Sequence, residues 1–153
     1  GRGMLDRALC QHVNVKGTEV VVGCCERLAR DAPIRLIFMS SYNVCFHGEA
    51  VHLGDETAPY SPASAHTDFY GASKADAERI VLAADRPDGL RTVALRPGAI
   101  FGERETRHLP RIVALMKWGL TAVAFGSVDA LQDWLHVDNL VSALVLAAGA
   151  LQS

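Results

Sequence analysis

Tyr70 and Lys74 stand four residues apart in Phe69-Tyr70-Gly71-Ala72-Ser73-Lys74, near the start of a stretch, Asp68 to Ala84, that reads as helix. That spacing puts both side chains on one helix face, one turn apart. A phenol with a pKa of about 10 is a poor acid or base near neutrality. At about 6.5 Å and an effective dielectric of about 20, an ammonium favours the phenolate by roughly 2.5 kcal/mol, close to two pKa units. The tyrosine then approaches the range useful for general acid–base catalysis. A bare Tyr-x-x-x-Lys arises by chance in about one chain in four of this size, so its setting decides whether it matters.

That setting is read from the rest of the chain. Its 153 residues are enough for one domain with a core. Half the residues are hydrophobic and 21% are charged, which fits a globular chain. A net charge of -2, with no Lys/Arg run, argues against nucleic acid as a partner. The four cysteines (Cys10, Cys24, Cys25, Cys45) form no C-x-x-C, and buried free thiols in a reducing, intracellular compartment are expected. The histidines show no metal-ligand spacing, so no metal is expected. The longest apolar stretch, Leu140 to Leu151, is too short to span a bilayer. Neither end resembles a domain edge, and a fragment of a longer protein is expected.

Leu9 to Arg30 reads as a helix with apolar residues on more than one face, kinked near Gly17-Thr18. Arg35 to Ser41 is an apolar run ending in two serines, typical of a central parallel strand. Ligand sites on open α/β sheets lie beyond such strand ends, where Ser40 and Ser41 fall. A long connection from Tyr42 to Thr67 leads to the Tyr70 helix, and Leu90 to Leu95 reads as the next strand. His108 to Trp118 reads as helix, Ala122 to Phe125 as a short strand, and Trp134 to Val137 as extended. Asp138 is expected to cap a last helix, Asn139 to Ala150. Such alternation predicts an α/β fold with a parallel sheet.

Ser41, Tyr70, Lys74 and Pro97-Gly98-Ala99-Ile100 therefore converge on one sheet edge. This constellation resembles the catalytic half of the extended short-chain dehydrogenase/reductase superfamily. The resemblance is carried by His12-Val13-Asn14-Val15-Lys16-Gly17-Thr18, Phe38-Met39-Ser40-Ser41-Tyr42-Asn43-Val44 and Tyr70-x-x-x-Lys74. Leu95-Arg96-Pro97-x-x-Ile100-Phe101-Gly102 and Trp134-x-His136-Val137-Asp138-Asn139-Leu140 complete it. Within the superfamily the chain is most similar to the 3β-hydroxysteroid dehydrogenase/isomerase family, in its 42E-like branch. Thr106-Arg107-His108-Leu109-Pro110-Arg111 adds to that likeness.

The resemblance implies a partial Rossmann-like, doubly wound parallel sheet over residues 1–153. The glycine-rich N-terminal unit and most of the C-terminal substrate region are absent. It implies NAD or NADP as cofactor and a small apolar, steroid-like alcohol or ketone as substrate. Tyr70 would exchange the substrate proton, and Lys74 would lower the tyrosine pKa and hold the nicotinamide ribose. Ser41 would bond the reacting oxygen, and Asn14 would stand behind the lysine. Ser40, Pro97, Gly98 and Ile100 would line the cofactor pocket with Tyr70 and Lys74. A homodimer through the Leu9–Arg30 and Tyr70 helices is expected, in the cytoplasm or on a membrane's cytoplasmic face if the full protein is anchored. The chain alone is expected to bind dinucleotide weakly and to turn nothing over.

Structural alternatives stand beside each role. Ser41 as a locally bonded strand-end serine, Asn14 as a helix-start residue, Pro97-Gly98 as a turn and His136 as a core histidine all fit the pattern. A nucleotide-sugar epimerase or dehydratase of the same superfamily is the nearest rival function. Such enzymes carry an arginine for the sugar diphosphate where this chain has Gln132, and Gly126 to Trp134 contains no cation. A non-catalytic dinucleotide-binding remnant is a further alternative. A serine hydrolase is not, because Gly71-Ala72-Ser73-Lys74-Ala75 lacks the last glycine of a nucleophile elbow.

Overall fold

A computed structural model describes residues 5–49, 51, 53–106, 109–120 and 131–151. It divides into two compact units, residues 1–97 with 144–153, and residues 98–143.

In the first unit, helix α1 (Arg7–Cys10) runs into a π-helical stretch, Gln11–Lys16, and then into α2 (Gly17–Leu28). The sequence predicts one helix here, and the wider π turn is a finding it does not contain. The irregularity lies just before Gly17, and the Thr18 hydroxyl donates to the Asn14 carbonyl at 2.6 Å. Strand β1 (Ile34–Met39) pairs in parallel with β2 (Leu90–Leu95), from Ile34 opposite Leu90 to Met39 opposite Leu95. A bond from Ser40 N–H to the Leu95 carbonyl extends the ladder by one residue. Parallel neighbours need a long crossover, which here is the 3-10 turn Tyr42–Val44, the loop after it and α3 (Phe69–Ala83). Asp68 caps α3 by accepting the Gly71 N–H at 2.7 Å. At the other end, the Asp85 carboxylate accepts the Thr92 N–H at 2.6 Å and fixes the chain's return into β2. Val22, Val81, Ala84 and Leu90 form the core, where α2 and α3 meet β2, with Leu36 and Phe38 packed against it. All four cysteines are free. Of these, Cys10 is buried and the other three are half-exposed, so burial of all four thiols is not what the structure shows.

In the second unit, β3 (Ala99–Phe101) pairs in parallel with β4 (Trp134–His136). The sequence reads Pro97 to Ile100 as chain leaving β2, with a turn at Pro97-Gly98 as the alternative, and does not anticipate β3. Helix α4 (Leu109–Lys117) agrees with expectation. The strand expected at Ala122 to Phe125 lies outside the described residues. Helix α5 (Val137–Ala150), of which residues 144–150 belong to the first unit, starts two residues earlier than predicted. The His136 ring nitrogen accepts the Asp138 N–H at 3.3 Å and so acts as its cap. Asp138 is thus not the cap but an exposed acid in the first turn, where its charge suits the helix dipole.

Candidate active site

The residues singled out by sequence fall in both units. Asn14, Ser40, Ser41, Tyr70, Lys74 and Pro97 lie in the first unit, and Gly98 and Ile100 in the second. In the second unit Gly98 packs against the Asp133 backbone and Ile100 pairs with Leu135.

Lys74 is half-buried, and its Nζ donates to the Met39 carbonyl at 2.6 Å while standing 4.5 Å above the Phe38 ring. The ammonium is thereby fixed to the last residue of β1, next to Ser40. Burial pushes the Lys74 pKa below the ordinary lysine value, with the Glu78 carboxylate opposing that shift. Asn14 sits in the π-helical stretch. Its amide donates to Ser73 Oγ at 2.9 Å, and that hydroxyl donates to the Tyr70 carbonyl at 2.9 Å. Asn14 therefore holds the backbone of the Tyr70 turn through Ser73, which is fully buried. Asn14 and Lys74 also line one opening of about 430 Å³, walled by Val13, Val21, Leu36 and Phe38.

Ser41 is buried, and its hydroxyl accepts the Asn43 N–H at 3.3 Å as the cap of the 3-10 turn. The local-bonding alternative is thus realised. It leaves the hydroxyl proton of Ser41 available as a donor. The next residue, Tyr42, donates its N–H to the Pro97 carbonyl at 3.1 Å, which ties the Ser41 segment to the end of β2. Gly71 closes the arrangement from the α3 side. A Cβ there would stand 2.9 Å from the Asn43 carbonyl oxygen, so the first turn of α3 lies directly on the turn behind Ser41.

A polar cluster that the sequence pattern does not identify lies beneath these residues. Glu78, 1% exposed, takes three hydrogen bonds on Oε1. Arg96 donates through Nε at 2.9 Å and Nη2 at 2.7 Å, and the Tyr60 hydroxyl at 2.9 Å. Arg96 also reaches Cys45 Sγ and the Ala58 carbonyl, each at 3.2 Å. Burial alone would raise the Glu78 pKa, but bonds from Arg96, Ser40 and Tyr60 outweigh it and hold the carboxyl below its usual range. The Ser40 hydroxyl faces this carboxylate without a well-formed bond, and Oε2 has no hydrogen-bond partner. A signal was present in the sequence: Glu78 continues the four-residue spacing of Tyr70 and Lys74.

The first unit offers a fixed ammonium and a serine hydroxyl at the carboxyl end of a parallel strand, with the Tyr70 phenol one turn before Lys74 on α3. Such groups can move a proton to or from an alcohol and stabilise an oxyanion.

Comparison with known proteins gives this arrangement a context. Residues 2–153 match the model of the 3-beta hydroxysteroid dehydrogenase/isomerase family. Short-chain dehydrogenase/reductase family 42E member 1 from Homo sapiens is 45% identical over all of this chain, which spans 40% of that protein. The sterol-4-alpha-carboxylate 3-dehydrogenase ERG26, decarboxylating, of Candida albicans is 38% identical over 94% of this chain and 40% of its own length. Among solved structures, MoeE5 in complex with UDP-glucuronic acid and NAD superposes with a TM-score of 0.68 at 28% identity, over 90% of this chain and 44% of that one. The dTDP-glucose 4,6-dehydratase of Bacillus anthracis in complex with NAD gives a TM-score of 0.72 at 23% identity, over 93% of this chain and 44% of that one. The chain thus spans less than half the length of these relatives.

Proposed function

The chain belongs to the 3-beta hydroxysteroid dehydrogenase/isomerase family, and from that premise we propose that it is the catalytic part of an NAD(P)-dependent oxidoreductase acting on a sterol-like secondary alcohol. Tyr70 accepts the substrate hydroxyl proton. Ser41 donates a hydrogen bond to the same oxygen and stabilises charge as it develops. Lys74 keeps the phenol acidic and offers its remaining N–H donors to the ribose hydroxyls. Asn14 holds the Tyr70 turn through Ser73. The dinucleotide, when bound, supplies the hydride acceptor, and the protein orients and polarises. The donor set fits the nicotinamide-ribose end: Lys74 has three N–H donors and spends one on Met39. No glycine fingerprint occurs in this sequence to cradle the pyrophosphate, so that half of the cofactor must find its contacts elsewhere in a longer chain. Residues 1–153 are read as the central and C-terminal part of a Rossmann-like domain.

The observation that supports this reading most is the packing of Gly71 on Asn43, which sets the phenol-bearing turn beside the Ser41 turn. A nucleotide-sugar epimerase or dehydratase is the second reading, favoured by the likeness to MoeE5. Gln132, where that class places a guanidinium, counts against it. The sterol reading is supported by the 38% identity to the fungal sterol dehydrogenase. Among the described residues no helix is long and apolar enough to cross a membrane. Four free thiols support a reducing compartment. Exposed Val20 and Leu28 on α2, with Leu82 on α3, support a homodimer through these helices.

In the full-length protein containing this chain, Tyr70→Phe is expected to lower kcat for a 3β-hydroxysterol by about 10²–10⁴-fold, with the dinucleotide KM little changed. Steady-state kinetics with sterol and UDP-sugar substrates decide the matter. Turnover of the sugar nucleotide alone, or full activity in the variant, overturns the proposal. Residues 1–153 by themselves are expected to show no micromolar NAD affinity by calorimetry.

A further inference from the structure

We propose that Glu78 is a positioning residue for the reaction assigned to Tyr70 and Lys74: its carboxylate locks the catalytic face of α3 to the ends of β1 and β2 and keeps the Lys74 ammonium protonated. The inference deepens the function proposed above and rests on it. Tyr70, Lys74 and Glu78 follow one another at four-residue intervals along one stripe of α3. Through Oε1 Glu78 holds Arg96, which directly precedes Pro97, whose carbonyl holds the Ser41 segment. The Ser40 hydroxyl faces the same carboxylate. One buried acid thus joins every first-unit segment that carries a site residue, except the Asn14 helix.

The distribution of bonds on Glu78 points to more than a structural tie. Three donors crowd onto Oε1, while Oε2 is buried with no hydrogen-bond partner. Negative potential is therefore left on one side of the group, and Lys74 lies one turn away on the same stripe. The charged and titratable groups around the pair are few. Arg96 arrives from the end of β2, Tyr60 from the long loop and Cys45 from beside Arg96. The Arg79 guanidinium lies 4.2 Å from the centroid of the Tyr60 ring. From β1, Lys74 meets neutral groups, the Met39 carbonyl and the Phe38 ring, and among the described residues Glu78 is the charge that opposes its loss of a proton.

The test is Glu78→Gln in the full-length protein. Removing the negative charge while Arg96 stays positive makes the ammonium harder to keep, so Lys74 loses its proton at lower pH. The alkaline limb of the kcat profile is expected to move down in pH, kcat to fall on the order of tenfold, and the dinucleotide KM to stay within about twofold. NMR titration of ¹³C-labelled lysine should show the Lys74 signal moving the same way. Glu78→Gln leaves Arg96 buried without its partner and can unfold the chain. The double variant Glu78→Gln, Arg96→Met removes both charges, and its melting temperature should recover while the Lys74 titration stays below wild type. A folded double variant with wild-type Lys74 titration and alkaline limb shows that Glu78 only braces the fold, and overturns the inference. Activity with an unshifted Lys74 also overturns it. Loss of all dehydrogenase activity in the wild type, with Lys74 shifted in the variant, overturns the assigned reaction and supports the electrostatic coupling.

Discussion

A methyl group at position 71 has nowhere to go. Besides the Asn43 carbonyl oxygen at 2.9 Å, it would meet His66 Nδ1 at 3.3 Å. Alanine's better helix propensity is worth about 1 kcal/mol, but a backbone oxygen yields less readily than a side chain. Gly71→Ala is therefore expected to lower stability by about 1–3 kcal/mol in urea unfolding. It should also impair catalysis, because relief of the clash lifts the Tyr70 turn from the Ser41 turn. Tyr70, Lys74 and Ser41 were legible because a helical spacing and a strand end are local patterns. Glu78 shares the spacing of Tyr70 and Lys74, but its bonds to Tyr60 and Arg96 each span 18 residues of sequence, and no periodicity announces those contacts. Asn14 was legible only through the resemblance. Its bond to Ser73 spans 59 residues.

At the level of elements, α3 owes its start to one side chain. Asp68→Ala removes the acceptor for the Gly71 N–H and is expected to cost about 1 kcal/mol, read as a lower midpoint in thermal or denaturant unfolding. Asp68→Asn, which keeps an acceptor, should cost much less. Strands β1 and β2 were readable because each is a short, mostly apolar run bounded by turn residues, Asp31-Ala32-Pro33 before β1 and Pro87-Asp88-Gly89 before β2. The three residues of β3 follow Pro97-Gly98, and a local reading sees only the turn. The cap of α5 was misassigned by two residues, because Asp is a better generic cap than His. Only the folded structure reveals that the His136 ring takes the amide.

Across the whole molecule, order should be uneven. The first unit has a core on α2, α3 and β2, whereas α4 has no buried residue and exposes Met116 at 59%. Hydrogen exchange read by mass spectrometry should accordingly show strong protection for Leu90–Leu95 and weak protection for Leu109–Lys117. Slow exchange throughout α4 would contradict this. The hexapeptide Gln11–Lys16 has a consequence for the chain on either side of it. A coil with more than the usual number of residues per revolution acts as a phase adjuster: it takes up residues while rotating the downstream helix by less than the usual angle. Within it, Asn14 is aimed at Ser73, and downstream, Val22 is aimed at the core. Keeping all six residues and rewinding them at ordinary pitch would swing one set against the other by roughly one residue's rotation, about 100°. Aiming at both targets therefore depends on a winding irregularity, and forcing this segment into regular α-helix at its present length should break one of the two contacts even if every side chain that makes them is kept.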